Sequence, residues 1–218
     1  MARKPHKLKM MAIVTSKANT ASQTFSAVAI SQEYLAMFNQ LVANFDLSAV
    51  ARTTEMLRTA RDAGATIYVA GNGGSAATAT HLANDLGKAT KQSGRRPIRI
   101  ICLSDNVSWF SALANDEGYE RVFTGQLENF ARSGDVLIVI SASGNSPNLV
   151  NAVDYARSHG LSTIGLFGFD GGVLKDRVDE LLWVESEKGA YGPVESAHVV
   201  LCDLITTCLI RDRASAEE

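Results

Sequence analysis

Two stretches of the chain carry residues suited to holding an anion: 71-GNGGSA-76 and 141-SASGNS-146. In the first, Gly71, Gly73 and Gly74 let the backbone come close to a ligand, and Ser75 falls where a helical pattern begins. The second repeats the device with Ser141, Ser143, Gly144 and Ser146. Unpaired N–H groups at a helix start, combined with serine hydroxyls, make a phosphate site. Neither loop has the G-x-G-x-x-G spacing, and no lysine follows as in a P-loop. Without a lysine to offset a triphosphate, the ligand that fits is a single phosphomonoester on a small molecule.

The elements that must position these loops are readable from the apolar pattern. Short apolar runs at 66–71, 98–103, 135–141, 161–168 and 181–185 alternate with helix-like segments at 76–88, 107–132, 146–159 and 194–212. Near-continuous apolar strands separated by helices predict a parallel sheet covered on both faces. The fold class is therefore α/β, a three-layer αβα sandwich with a five-stranded parallel sheet. In such sheets ligands bind beyond the carboxyl ends of the strands, where both loops and 104-SDN-106 lie. Ahead of the first strand, a helix is predicted from Ser31 through Leu35, Phe38, Leu41, Val42 and Phe45. Asp46 would cap a second helix that ends at Gly64, and the pair reads as an oligomer-forming element.

Composition narrows the class. With 218 residues, 46% apolar and 20% charged, the chain is an ordinary globular protein of one sizeable domain. A net charge of −2 gives no electrostatic case for nucleic acid or an anionic membrane, and no apolar run reaches the length of a membrane span. Residues 1–30 are expected to be a loosely ordered basic and polar extension, 31–212 a single domain, and 213–218 a tail. The odd number of cysteines, Cys102, Cys202 and Cys208, without a CxxC pair, reads as packed free thiols in the reducing cytoplasm.

The pair GNGGS and SASGNS, with 104-SDN-106, 114-AND-116, 168-GFDGG-172 and a closing helix, resembles the sugar-isomerase (SIS) domain, and most closely its phosphoheptose isomerase branch. The resemblance runs from about residue 31 to 212. It implies an aldose–ketose isomerase acting on a sugar phosphate, sedoheptulose 7-phosphate to a heptose 7-phosphate. It also implies homotetramers built through the N-terminal helices, with sites at subunit interfaces. By the match, Asn72, Ser75, Ser141, Ser143 and Ser146 line the phosphate and sugar site, with Gly73 in the same loop and Asp105 nearby. Where the branch carries His and Glu four residues apart, this chain has His81 and Asp85; where it has Gln and, eight residues on, His, this chain has Glu195 and Asp203. The branch's base and acid stand at the second and fourth of these positions, and the four together can hold zinc. One imidazole with three carboxylates also suits Mn²⁺ or Mg²⁺. His198, three residues after Glu195, could share its helix face and supply the missing acid. The expected catalytic set is Asp85, Glu195, His198 and Asp203; the expected metal set is His81, Asp85, Glu195 and Asp203. The alternative is a non-catalytic SIS module that senses a phosphosugar or serves as a protein adaptor, for which 201-LCDLI-205 is the relevant stretch.

Overall fold

The five apolar runs form five strands: β1 (Thr66–Gly71), β2 (Arg99–Cys102), β3 (Val136–Ser141), β4 (Ser162–Phe167) and β5 (Glu180–Trp183). A computed structural model describes residues 25–212 of the chain. All strand pairings are parallel, in the order β2-β1-β3-β4-β5. β1 and β3 are buried along their whole length. Their side chains alternate between two cores. Ile67, Val69, Ile138 and Ile140 face one; Tyr68, Ala70, Leu137 and Val139 face the other. Each such buried aliphatic side chain contributes roughly 1.5–3 kcal/mol, which is why both faces must be covered.

Seven helices cover them: α1 (Ala27–Ala43), α2 (Leu47–Ala63), α3 (Gly74–Lys88), α4 (Val107–Asp116), α5 (Thr124–Phe130), α6 (Pro147–Ser158) and α7 (Tyr191–Arg211). α2, α3 and α7 share the first core, while α4, α5 and α6 share the second. Asp46 caps α2 as expected, accepting from the Ser48 and Ala49 N–H groups, and Gly64 ends it at φ +74°.

Three expectations need correction. The helix predicted from Ser31 begins at Ala27, because Ser26 accepts a bond from the Ala29 N–H; residues 27–30 are thus helical and not loosely ordered. The remainder of that extension, 1–24, and the tail 213–218 lie outside the described residues. The 107–132 segment is not one helix: Gly118, at φ +99°, breaks it into α4, a short 3-10 turn at Tyr119–Arg121, and α5. Finally, Cys102 and Cys202 are packed, but Cys208 is exposed. Six residues along a helix turn the side chain by about 240°, so Cys208 faces away from Cys202. α7 is long and apolar enough to cross a membrane by composition alone, but half of its apolar window is buried inside the protein, as in a core helix.

Candidate active site

The strand order places the two glycine- and serine-rich loops on neighbouring strands. The order of winding reverses between the parallel strands β1 and β3, because β1 leads outward to β2 on one side while β3 leads to β4 and β5 on the other. This reversal opens a crevice at the carboxyl ends of β1 and β3. Gly71 is level with Ile140 in the ladder, so the 71–75 and 141–146 loops leave the sheet at the same height.

The 141–146 loop is braced from within and from behind. Ser141 Oγ accepts from the Gly144 N–H at 3.1 Å, and Ser143 Oγ from the Asn145 N–H at 3.3 Å. Gly144 sits at φ +61°, and a Cβ there would run into the backbone of Gly171. The β4 loop grips it further: the Leu174 N–H donates to the Gly144 carbonyl at 3.1 Å, and the Val173 N–H to Asn145 Oδ1 at 3.0 Å. Ser146 stands at the N-cap of α6 yet makes no capping bond, with Pro147 next to it. Its hydroxyl and the start of α6 are therefore free to meet an anion.

The 71–75 loop is fastened to the other. Asn72 and the fully buried Asn148 exchange side-chain bonds of 3.0 and 2.9 Å, and the Tyr119 hydroxyl donates to Asn72 Oδ1 at 2.9 Å. Ser104 Oγ donates to the Gly71 carbonyl at 3.0 Å, tying the end of β2 to the same point. Neither Asn148, Tyr119 nor Asn145 was among the residues expected from sequence. A signal for Asn148 existed: it lies on the inward stripe of α6 with Ala152 and Ala156, all three without exposed surface.

α3 and α7 pack side by side, running the same way, and bring the ionisable residues together. His81 Nε2 lies 3.3 Å from Asp85 Oδ2 and 3.3 Å from Asp203 Oδ1. The ligand atoms of these three residues all lie within 4.8 Å of one another. Four bonds of about 2.1 Å in a tetrahedron put neighbouring ligand atoms about 3.4 Å apart, so the spacing fits a divalent ion. The fourth expected ligand is not in this cluster. The Glu195 carboxylate lies over Gly74, where any side chain would collide with it, about two turns of α3 before His81. The start of α3 thus already faces a carboxylate, whereas at the start of α6 the Ser146 side chain makes no capping bond. The two loops are therefore unequal in their electrostatic surroundings.

His198 does not join the cluster either. It has no exposed surface, and neither ring nitrogen has a hydrogen-bond partner within normal geometry. Burial pushes its pKa down to about 4, only partly offset by the backbone of Phe167 beside it, so the ring is neutral in the core. The shared face with Glu195 fails because the apolar stripe of α7, with Val194, Ala197 and Leu201, includes position 198. Asp105 is turned to α3, where it accepts from the Thr80 hydroxyl on the flank that faces β2 instead of α7.

Comparison with known proteins follows the same lines. A family model described as SIS domain matches residues 33–168 and stops short of α7, the helix that supplies Glu195 and Asp203. The phosphoheptose isomerase of Pelodictyon phaeoclathratiforme is 36% identical over 181 residues, covering 81% of this chain and 85% of the relative. That of Trichlorobacter lovleyi is 39% identical over 179 residues, covering 80% and 89%. Among solved structures, the phosphoheptose isomerase of Francisella tularensis superposes with a TM-score of 0.75 at 26% identity, over 84% of this chain and all (100%) of that one. The corresponding Neisseria gonorrhoeae enzyme gives 0.73 at 29% identity, over 84% and 95%.

Proposed function

The chain belongs to the SIS domain family, and from that premise we propose that it is a phosphosugar isomerase of the phosphoheptose type, converting sedoheptulose 7-phosphate to a heptose 7-phosphate. The observation that carries this reading is the seam between α3 and α7, which leads from the serine loops to the cluster of His81, Asp85 and Asp203. Val194, in the first turn of α7, packs against Gly168 near the Ala142 carbonyl, so that turn adjoins the 141–146 loop. From Glu195 to Asp203 the helix rises about 12 Å, along which an extended phosphosugar would lie.

In this reading Ser141, Ser143, Ser146 and the start of α6 hold the phosphate, and Asn72 orients the sugar. Isomerisation moves a proton between adjacent carbons through an enediol, which calls for a base at carbon and an acid at oxygen. Asp85 is the base, and Asp203, across His81 from it, serves the oxygen. Glu195, close to the phosphate end, positions the chain between them. His81, Asp85 and Asp203 would hold a divalent ion such as Zn²⁺, whose contribution is to polarise the carbonyl and hydroxyl oxygens of the substrate. His198 takes no part. The exposed apolar residues of α1 and the segment before it, Phe25, Val28, Ile30 and Leu35, support self-association, and the family resemblance makes that assembly a homotetramer.

A second reading, a module that binds phosphosugar without turnover, is favoured by one fact: Asp85 and Asp203 stand where the resemblance places Glu and His. A coupled assay on sedoheptulose 7-phosphate, with and without added Zn²⁺, separates the two. Turnover supports the isomerase; binding of the sugar phosphate without turnover under either condition would establish the module instead.

A further inference from the structure

At the amino-terminal edge of the sheet, opposite the serine loops, a cavity of about 250 Å³ opens between the starts of β1 and β2 and the end of α5. Nothing in the reaction above uses it. Its base is Tyr68 and Asp135, both buried, Phe130 forms a wall, and Arg99 and Arg132 line the rest.

Two independent features of this lining point to a ligand. Arg99 and Arg132 are exposed and have no carboxylate within ion-pair distance among the described residues. Arg52, Arg61, Arg121 and Arg177 each hold one. Arg96 packs against Gly64, which borders the cavity, without itself lining it. The second feature is the Tyr68 hydroxyl. The residue is 1% exposed, and its hydroxyl has the Thr66 side chain beside it and Asp135 Oδ2 at 3.5 Å, the outer limit of a hydrogen bond. Asp135 is already engaged by shorter bonds, from the Thr66 N–H at 2.7 Å and the Arg132 N–H at 2.9 Å. A phenylalanine would fill the core equally well, so a hydroxyl this buried calls for a better partner. Burial and the Asp135 charge push its pKa up to about 12, which keeps it protonated and able to donate.

We propose that this cavity is an anion site distinct from the serine loops, taking inorganic phosphate or a short phosphomonoester between Arg99 and Arg132, with the Tyr68 hydroxyl donating from below. The planar fork of arginine matches phosphate oxygens two at a time. The volume falls below the roughly 300–1,000 Å³ of sites for drug-sized ligands, which limits the occupant to a small anion. Two arginines outweigh the one aspartate, whose oxygens face other donors.

The test is isothermal titration of the full chain with inorganic phosphate. In a Ser141→Ala/Ser146→Ala variant one phosphate per chain should still bind. Adding Arg99→Ala and Arg132→Ala should weaken that binding at least about tenfold. Tyr68→Phe should weaken it a few-fold without loss of thermal stability. Arg157→Ala, which removes an exposed arginine elsewhere, should leave it unchanged. The proposal is overturned if the serine variant binds no phosphate, if the remaining binding survives loss of both arginines, or if Arg157→Ala weakens it equally. Because the serines are replaced first, failure of the serine-loop reading and failure of this one give different results.

Discussion

Asp85 holds its carboxylate about one bond, roughly 1.5 Å, further back than a glutamate would, and a misplacement of that order can cost on the order of 100-fold in rate. In the structure it nevertheless reaches His81, so the group is in place and its reach is what the substitution changes. Asp85→Asn is expected to lower kcat by about 10²–10⁴-fold with phosphosugar affinity retained, and Asp85→Glu to keep or raise it. Steady-state kinetics paired with titration decides the matter; equal loss of binding in both variants would remove Asp85 from the chemistry. At the phosphate end, Ser146→Ala should raise KM about tenfold with little change in kcat, since the phosphate is held alike in ground and transition states. An unchanged KM would move the phosphate away from α6. His81, Asp85 and the serines were legible because their types and spacing announce chemistry. Tyr119 was not, because a single polar residue in a turn looks the same whether it faces solvent or a partner 47 residues away; for Asn148 the stripe shared with Ala152 and Ala156 marks an inward face but not the partner 76 residues away.

α7 shows how an element decides what its residues can do. Its inward stripe takes His198 into the core and leaves Asp203 outside, although both lie on one helix only five residues apart. The buried ring carries a stability signature. Its folded pKa of about 4 lies below its usual 6.5, so the unfolded chain binds the proton first. Stability is complete above pH 6.5 and falls as pH drops toward 4, by about 3 kcal/mol in all. Thermal denaturation across this range should show a steeper acid loss for the wild type than for His198→Leu. Parallel profiles would mean that the imidazole is hydrated or partnered. The strands and most helices were legible, since apolar periodicity and caps such as Asp46 and Gly64 act locally. The break at Gly118 was missed although the polar stretch 115-NDEG-118 precedes it: a glycine inside a helical pattern is also tolerated, and its positive φ is what ends the helix.

At the scale of the whole molecule, α1 is the element least accounted for by one chain. Phe25, Val28, Ile30 and Leu35 are between 53% and 83% exposed, a far larger apolar display than an isolated surface helix needs. Tyr34 touches α7 through Ser196, one residue from Glu195, so whatever covers α1 also borders the active-site seam. If α1 forms the subunit interface of the proposed homotetramer, Val28→Asp/Leu35→Asp is expected to yield smaller species by light scattering, and to lower turnover with it. A variant that stays the same size as the wild type would show that this face is not the interface.

The sequence alone determined the α/β class, the parallel sheet, the two glycine- and serine-rich loops at strand ends and the pairing of His81 with Asp85. Each of these depends on neighbours a few residues apart, where periodicity, caps and glycine positions act directly. The tertiary structure decided that the loops leave β1 and β3 side by side, that Asp203 meets His81 while Glu195 lies over Gly74, and that His198 is packed away. Those relations are set by strand order and by how α7 lies along α3, and both arise from packing between segments far apart in the chain, with Gly71 beside Ile140 in the sheet and His81 beside Asp203, 122 residues on.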